Sequence, residues 1–404
     1  MSGSPRPLFG RFGPQMTPDR IAFAGIFVVT GLGLLTIGAT LPVLPKYVTG
    51  PIGGGDVAVG VVTGAFAATG LLFRPIGGAF ADARGRKPVV VVGALLTALS
   101  GLLLFIPAGI GGLVITRLFL GAGEGMVYTA GAAWIVDMAP AHRRGRVIGL
   151  YGLAIWGGLS LGPPIGDLIL RTSSFEMVWA FAAAAPLVGA LIATRIPENY
   201  APAALAKPIS LGERARALIA RESLAPGLAL ALTVVGYATL AAFIVLHLDA
   251  RGIGHGALVF ATFAVTVVTV RLLGGGLPDR YGGARTAAVA GLVQAGGLFL
   301  VAAAHSLPVA LIGAAAMGGG FALLFPSLAL IVVDAVPDDR RGAAMGTFTA
   351  FFDVGMGVGA PLAGVAAVAG GYGLSFALAG VVGLGTVVMA LALYRAPHLQ
   401  PAST

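Results

Sequence analysis

Apolar residues come in long unbroken runs along this chain, and polar residues gather in short clusters between them. The runs lie at roughly 20–47, 57–81, 88–108, 111–136, 147–170, 176–195, 224–248, 256–278, 285–304, 307–333, 343–368 and 372–394. Each is long enough to cross about 30 Å of hydrocarbon. None alternates with the period of two that a half-buried strand requires, and only helices or closed barrels satisfy their backbone groups in lipid. The pattern predicts an all-α polytopic membrane protein of twelve transmembrane helices. The many glycines agree, since glycine is commoner in transmembrane helices than in soluble ones.

The same pattern is written twice. A shift of 197 residues aligns Arg74 with Arg271, Gly77 with Gly274, Gly78 with Gly275, Asp82 with Asp279 and Gly85 with Gly282. Without a gap it aligns "VDMAPAHRRG" (136–145) with "VDAVPDDRRG" (333–342), then Gly149 with Gly346, Gly158 with Gly355, Gly162 with Gly359 and Pro164 with Pro361. The chain therefore reads as two pseudo-symmetric six-helix bundles, 1–195 and 224–404, joined by a linker at 196–223. Within that linker "LGERARALIAR" reads as a short amphipathic helix at the membrane surface. Parallel repeats of this kind place a binding site near the midplane, where the halves meet.

Composition sharpens the class. The 404 residues are 57% hydrophobic and only 10% charged, against about 25% charged in soluble domains, so most of the surface must face lipid. With no cysteine, disulfides, thiol catalysis and cysteine-ligated metals are excluded, and the 5 histidines show no ligand spacing, so no metal site is expected. The first 20 residues lack the apolar core of a cleavable signal peptide, so the first span is expected to direct its own insertion. The net charge of +9 sits in loops and suggests no nucleic-acid surface. With the N-terminus in the cytoplasm, 19 of the 25 basic residues fall on that side, three (Lys46, Arg171, Arg251) on the other, and three (Arg74, Arg117, Arg271) within spans. The positive-inside rule then predicts a bacterial inner-membrane protein with both termini cytoplasmic.

The loop "GGAFADARGRKP" (77–88) carries Gly78, Asp82, Gly85, Arg86 and Lys87 in the order G-x-x-x-D-(R/K)-x-G-x-(R/K)-(R/K), with Ala83 in place of the usual basic residue; Asp279 and Gly282 mark its worn copy. Over essentially the whole chain these residues resemble the major facilitator superfamily. The resemblance implies a usually monomeric secondary transporter, not an enzyme, that works by alternating access. In it this loop acts as a conformational latch against the eleventh helix. Gly149, Gly158, Gly162, Pro163 and Gly166 resemble the fifth-helix pattern of drug/proton antiporters, with Asp167 where the last glycine is usual. These residues are expected to form a hinge and seal. Arg117, in "LVITRLFLGAG", resembles the basic residue of the fourth-helix motif, which is associated with proton coupling in related exporters.

Ionisable groups at bilayer depth usually mark a pathway or a proton relay. Two carboxylates fall near the middle of spans, Glu124 and Asp353. Arg117 lies seven residues before Glu124, on the same helix face and about 10 Å away along the axis. Burial favours the neutral form of a carboxyl and a nearby guanidinium the charged form, so a group balanced between them can take and release a proton. Arg117, Glu124 and Asp353 are thus the expected coupling centre. Asp353 aligns with Trp156, so the repeat has lost its symmetry there. Arg74 and Arg271 are expected to snorkel to the interface. Tyr128, Trp156, Tyr237, Phe325 and Phe352 are candidates to line a substrate cavity, and Pro42 and Pro45 to shape a gate. No nucleophile–base signature or ATPase motif is present, so a proton gradient rather than a cofactor must supply energy. The expectation is proton antiport that exports a small organic molecule across the lipid bilayer. A proton-coupled importer or uniporter of a sugar or other metabolite is the alternative.

Overall fold

The computed structural model describes residues 18–138, 144–198, 220–337 and 340–395. The linker helix expected from "LGERARALIAR" lies outside the described residues except for its last two positions, and 139–143 and 338–339 of the repeated loop are outside as well.

The first half comprises α1 (Pro18–Thr40), α2 (Val43–Thr49), α3 (Asp56–Gly64), α4 (Phe66–Arg84), α5 (Arg86–Leu103), α6 (Gly109–Met138), α7 (Arg144–Thr172) and α8 (Phe175–Arg195). After a single 3-10 turn the second half comprises α9 (Leu224–Ala250), α10 (Gly256–Gly274), α11 (Leu277–Tyr281), α12 (Gly283–Ala302), α13 (Leu307–Asp334) and α14 (Arg341–Arg395). Two runs that read as single spans are broken in the structure. The first bends at Leu41–Pro42, and the second turns once at Ala65 between α3 and α4. The last two runs merge into α14, whose helical geometry fails only at Gly370 and Gly371. Counted as crossings, these elements give the predicted twelve.

Lipid-facing surfaces identify themselves by exposed aliphatics. Leu161 is 62% exposed, Leu273 84% and Val388 67%, an arrangement that water would penalise and hydrocarbon does not. Prolines inside α4, α7, α8, α13 and α14 are compatible with such helices, because neighbouring helices re-satisfy the freed carbonyls.

The 197-residue repeat is visible in the packing. A Cβ on Gly121 would run into the Phe66 carbonyl, and one on Gly318 into the Phe263 carbonyl. Gly123 is crowded by the backbone of Gly93 and Thr97, and Gly320 by that of Ala290 and Gln294. In both cases residue and neighbour move by the same 197 positions, so α4–α6 and α10–α13 are one design.

The halves meet along two seams. One packs α3 and α4 against the first limb of α14, and the other packs α10 against α7. Gly60 faces the Ala360 backbone, and Gly364 faces that of Asp56 and Val57. At the end of the bundle away from the basic loops (the far end), Lys46 Nζ lies 3.1 Å from Asp249 Oδ2, and the Tyr372 hydroxyl donates to Asp56 Oδ1 at 2.9 Å.

Candidate functional site

Close packing of α4 on α6 is what builds the site. Gly77 accommodates Met126, and Gly125 sits against the Gly70 carbonyl and the Arg74 side chain. Without Cβ atoms in the way, Arg74 reaches across the seam. Its Nε donates to Asp353 Oδ2 at 2.9 Å, and its Nη2 to Asp353 Oδ1 at 3.3 Å and to Glu124 Oε2 at 3.4 Å. The Asp353 side chain is 1% exposed and that of Glu124 11%. The Arg74 guanidinium also lies 4.8 Å over the Tyr128 ring. On its other side Glu124 borders a narrow cavity inside the first half, lined by residues such as Gly33, Ile37, Thr97 and Pro186.

This geometry corrects one expectation. Arg74 does not snorkel: two carboxylates hold it between the halves. Arg117, expected on the same helix face as Glu124 and about 10 Å away, makes no ion pair with it. It is buried at 4% exposure, its Nε has no hydrogen-bond partner, and it forms no ion pair among the described residues. The guanidinium that touches Glu124 is that of Arg74, at 3.4 Å. Glu124 and Asp353 are brought together as expected, but the shared partner is Arg74.

Arg271 does not snorkel either. Its guanidinium carbon sits 5.1 Å over the Trp156 ring across the second seam, and its Nε is buried without a hydrogen-bond partner. The repeat makes this the counterpart of the first contact, with Arg271 for Arg74, Trp156 for Asp353 and Phe321 for Glu124. Phe321 indeed packs on Trp156, their centroids 5.6 Å apart. One seam thus holds its arginine by charge and the other by aromatic faces.

Of the aromatic candidates, Trp156, Tyr237 and Phe352 join one cluster: Tyr237 lies 6.3 Å from Trp156 and 6.2 Å from Phe352. Phe260, Phe263 and Phe321 complete it and were not singled out from the sequence. Extending the 197-residue shift from Glu124 to Phe321 would have found the last of these. Phe325 packs on Phe348 instead, and Tyr128 belongs to the Arg74 site. Pro42 lies at the α1–α2 bend and Pro45 is buried in α2.

The contacts described for the latch loop lie within its own half and at the start of the linker. Arg86 pairs with Asp82 and with Asp137, the latter at 3.2 Å, and Glu198 accepts the backbone N–H groups of Arg86 and Lys87. Gly85 (φ +100°) and Gly282 (φ +86°) take the same left-handed turn before the following helix, a backbone state open to glycine at little cost. Asp279 stands in the first turn of α11. In α7, Gly158, Gly162 and Gly166 press on α1, and Gly149 lies where only the backbone is described. Gly355 and Gly359 press on α9 in the same way, so this stripe is a packing device of both halves. Asp167 pairs with Arg171 at 2.7 Å one turn along.

Chemically, the Arg74 site is one cation between two largely buried carboxylates, one carboxylate more than the cation can neutralise. Among the described residues there is no cluster of side chains suited to a metal ion.

Comparison with known proteins agrees with this architecture. The Major Facilitator Superfamily matches residues 26–292 and 227–404. An MFS-type transporter of Salmonella typhimurium is 33% identical over 371 residues, spanning 90% of this chain and 94% of its own length. One from Pseudomonas aeruginosa is 34% identical over 385 residues, covering 93% and 94%. Among solved structures, the nucleoside transporter NupG superposes with a TM-score of 0.76 at 14% identity, over 92% of this chain and 99% of that one. The human organic anion transporter MFSD10 gives 0.67 at 19% identity, over 93% and 100%. At such identities these two establish the fold.

Proposed function

Because the chain belongs to the major facilitator superfamily, we propose that it is a proton-coupled secondary transporter, exporting a small organic molecule in exchange for protons by alternating access. That it is a multi-pass membrane transporter follows from the family; the coupling and the direction are our reading.

The observation that carries the reading is the charge count around Arg74. With both carboxylates ionised, Arg74, Glu124 and Asp353 hold one net negative charge in a site of low polarity, and one proton brings it to zero. The partners sit on opposite halves, since Arg74 and Glu124 belong to the first and Asp353 to the second. Protonating Asp353 weakens its bond to Arg74 and hence the tie across the seam, whereas protonating Glu124 leaves Arg74 to Asp353 alone, so which carboxyl holds the proton is linked to rocking of the halves. Arg117, buried on the same helix about two turns toward its first end, completes the proposed coupling centre.

We place the basic loops in the cytoplasm of a bacterial inner membrane, with the latch residues Gly78, Asp82, Gly85, Arg86, Lys87, Asp279 and Gly282 there. The contacts of Lys46 and Asp56 then close the outer mouth. The likeness of α7 to the antiporter pattern supports exchange. Import together with protons is the second reading, favoured by the lone positive charge of Arg271 in the seam.

A thermal-shift ligand screen on purified protein supplies a substrate. In reconstituted vesicles Glu124→Gln is expected to lose pH-driven transport of that substrate while retaining counterflow. Undiminished pH-driven transport by the variant removes Glu124 from the mechanism.

A further inference from the structure

We propose that Arg271 is the receptor for an anionic group of the transported molecule, a carboxylate or phosphoryl oxygen on a compound whose flat apolar part packs against Trp156 and its neighbours. This rests on the transport reading above but not on which residue carries the proton.

Three observations point to it. Arg271 lies across a seam between the halves, yet among the described residues it has no carboxylate partner. Its Nε is buried and makes no hydrogen bond, a state that is costly for an ionised group unless something compensates it. Its symmetry mate Arg74, on the same backbone plan, is held by two carboxylates. The repeat has therefore removed the neutralising groups at Arg271 and put aromatic rings in their place. Trp156 leaves one face of the guanidinium covered and its edge donors uncommitted, while Phe263 and Tyr237, 6.3 Å from Trp156, extend an apolar wall beside it. A guanidinium with a free edge is suited to bidentate capture of a planar anion, and the wall suits a ring.

The test uses the full chain in detergent with four ring-matched probes: benzoate, phenylphosphate, benzyl alcohol and benzylamine. The two anions are expected to raise the melting temperature and to change tryptophan emission, and the alcohol and the amine to do neither. Arg271→Gln should weaken anion binding about a hundredfold, the scale seen when one partner of a buried charge pair is removed. Arg271→Lys should retain part of it, and Trp156→Phe should lose the emission change while still being stabilised. Glu124→Gln should still bind the anions, which separates this proposal from the proton site: binding with unaltered pH-driven transport sinks the Glu124 assignment and leaves the anion site standing. Four results overturn the proposal. They are no protection by either anion up to its solubility limit, equal protection by benzylamine, undiminished anion binding in Arg271→Gln, and protection by phosphatidylglycerol alone, which would assign the guanidinium to lipid.

Discussion

The two seams between the halves are copies of one another, and they have been filled with opposite chemistry. Where α4 meets α14, an arginine is gripped by Asp353 and Glu124. Where α10 meets α7, the equivalent arginine rests on Trp156, which is itself braced by Phe321. An ion pair among buried groups depends on protonation, and a cation over an indole face does not. The duplicated scaffold thus keeps an arginine at each seam but gives only one of the two arginines carboxylate partners among the described residues. A symmetric pair of ion clusters would let either half respond. In the proposed mechanism the asymmetric pair confines proton response to one side of the molecule and leaves a positive charge on the other.

The largest effect is expected from removing the tighter grip. Asp353→Leu leaves Arg74 with the longer contact to Glu124 alone, in a site where the aspartate side chain is 1% exposed. Breaking a buried pair in this way costs about 3–5 kcal/mol. The variant should melt markedly earlier in detergent and transport nothing against a gradient. Adding Arg74→Met and Glu124→Gln should recover much of the stability, because no unpaired charge then remains in the site, without recovering transport. If the single variant is as stable as the parent, the first seam does not depend on its ion pair, and the contrast with the second disappears.

Much of this architecture was legible in the sequence. Spans, duplication and the position of Glu124 and Asp353 within spans follow from local pattern, because charge near the bilayer midplane is costly and rare and glycine spacing survives duplication. The partner of the two carboxylates was not legible. Helical spacing relates residues on one helix, and it therefore favoured Arg117; Arg74 is 279 positions from Asp353 and meets it only because α4 and α14 pack across the seam. The snorkelling expected of Arg74 and Arg271 failed for the same reason: the depth of a residue can be read from the chain, but which way its helix faces cannot. The information was partly present in the repeat, since Arg74 aligns with Arg271 and Asp353 with Trp156, and both pairs proved to be contacts.

A smaller effect is expected from making the first seam resemble the second in backbone spacing. Gly60 aligns with Ala257, and Gly64 with Ala261, so the α3–α14 contact is built on glycine where its copy has methyl groups. In Gly60→Ala the new Cβ would overlap the Ala360 carbonyl, and the backbones must part, at a cost of about 1–3 kcal/mol. That cost falls on the arrangement in which the far end is closed. The chain has no cysteine, so cysteines introduced at Asp56 and Tyr372 give a clean cross-linking readout of closure. Their cross-linking yield should fall in the Gly60→Ala background. An unchanged yield would show that the close approach of these helices is not what holds the far end together.

The smallest effect belongs to the ion pair at the far end. Lys46 and Asp249 also join the two halves, and at 3.1 Å they are nearly as close as Arg74 and Asp353. Their side chains are 30% and 40% exposed, however, and exposed pairs contribute only about 0.2–1 kcal/mol, less in high salt. Lys46→Met should therefore lower the melting temperature slightly and leave pH-driven transport intact, and the small difference should shrink as salt is raised. An Lys46 effect as large as that of Asp353, persisting in high salt, would mean that the halves are held by their rim. Burial around Arg74 would then no longer be what separates a coupling contact from an ordinary one.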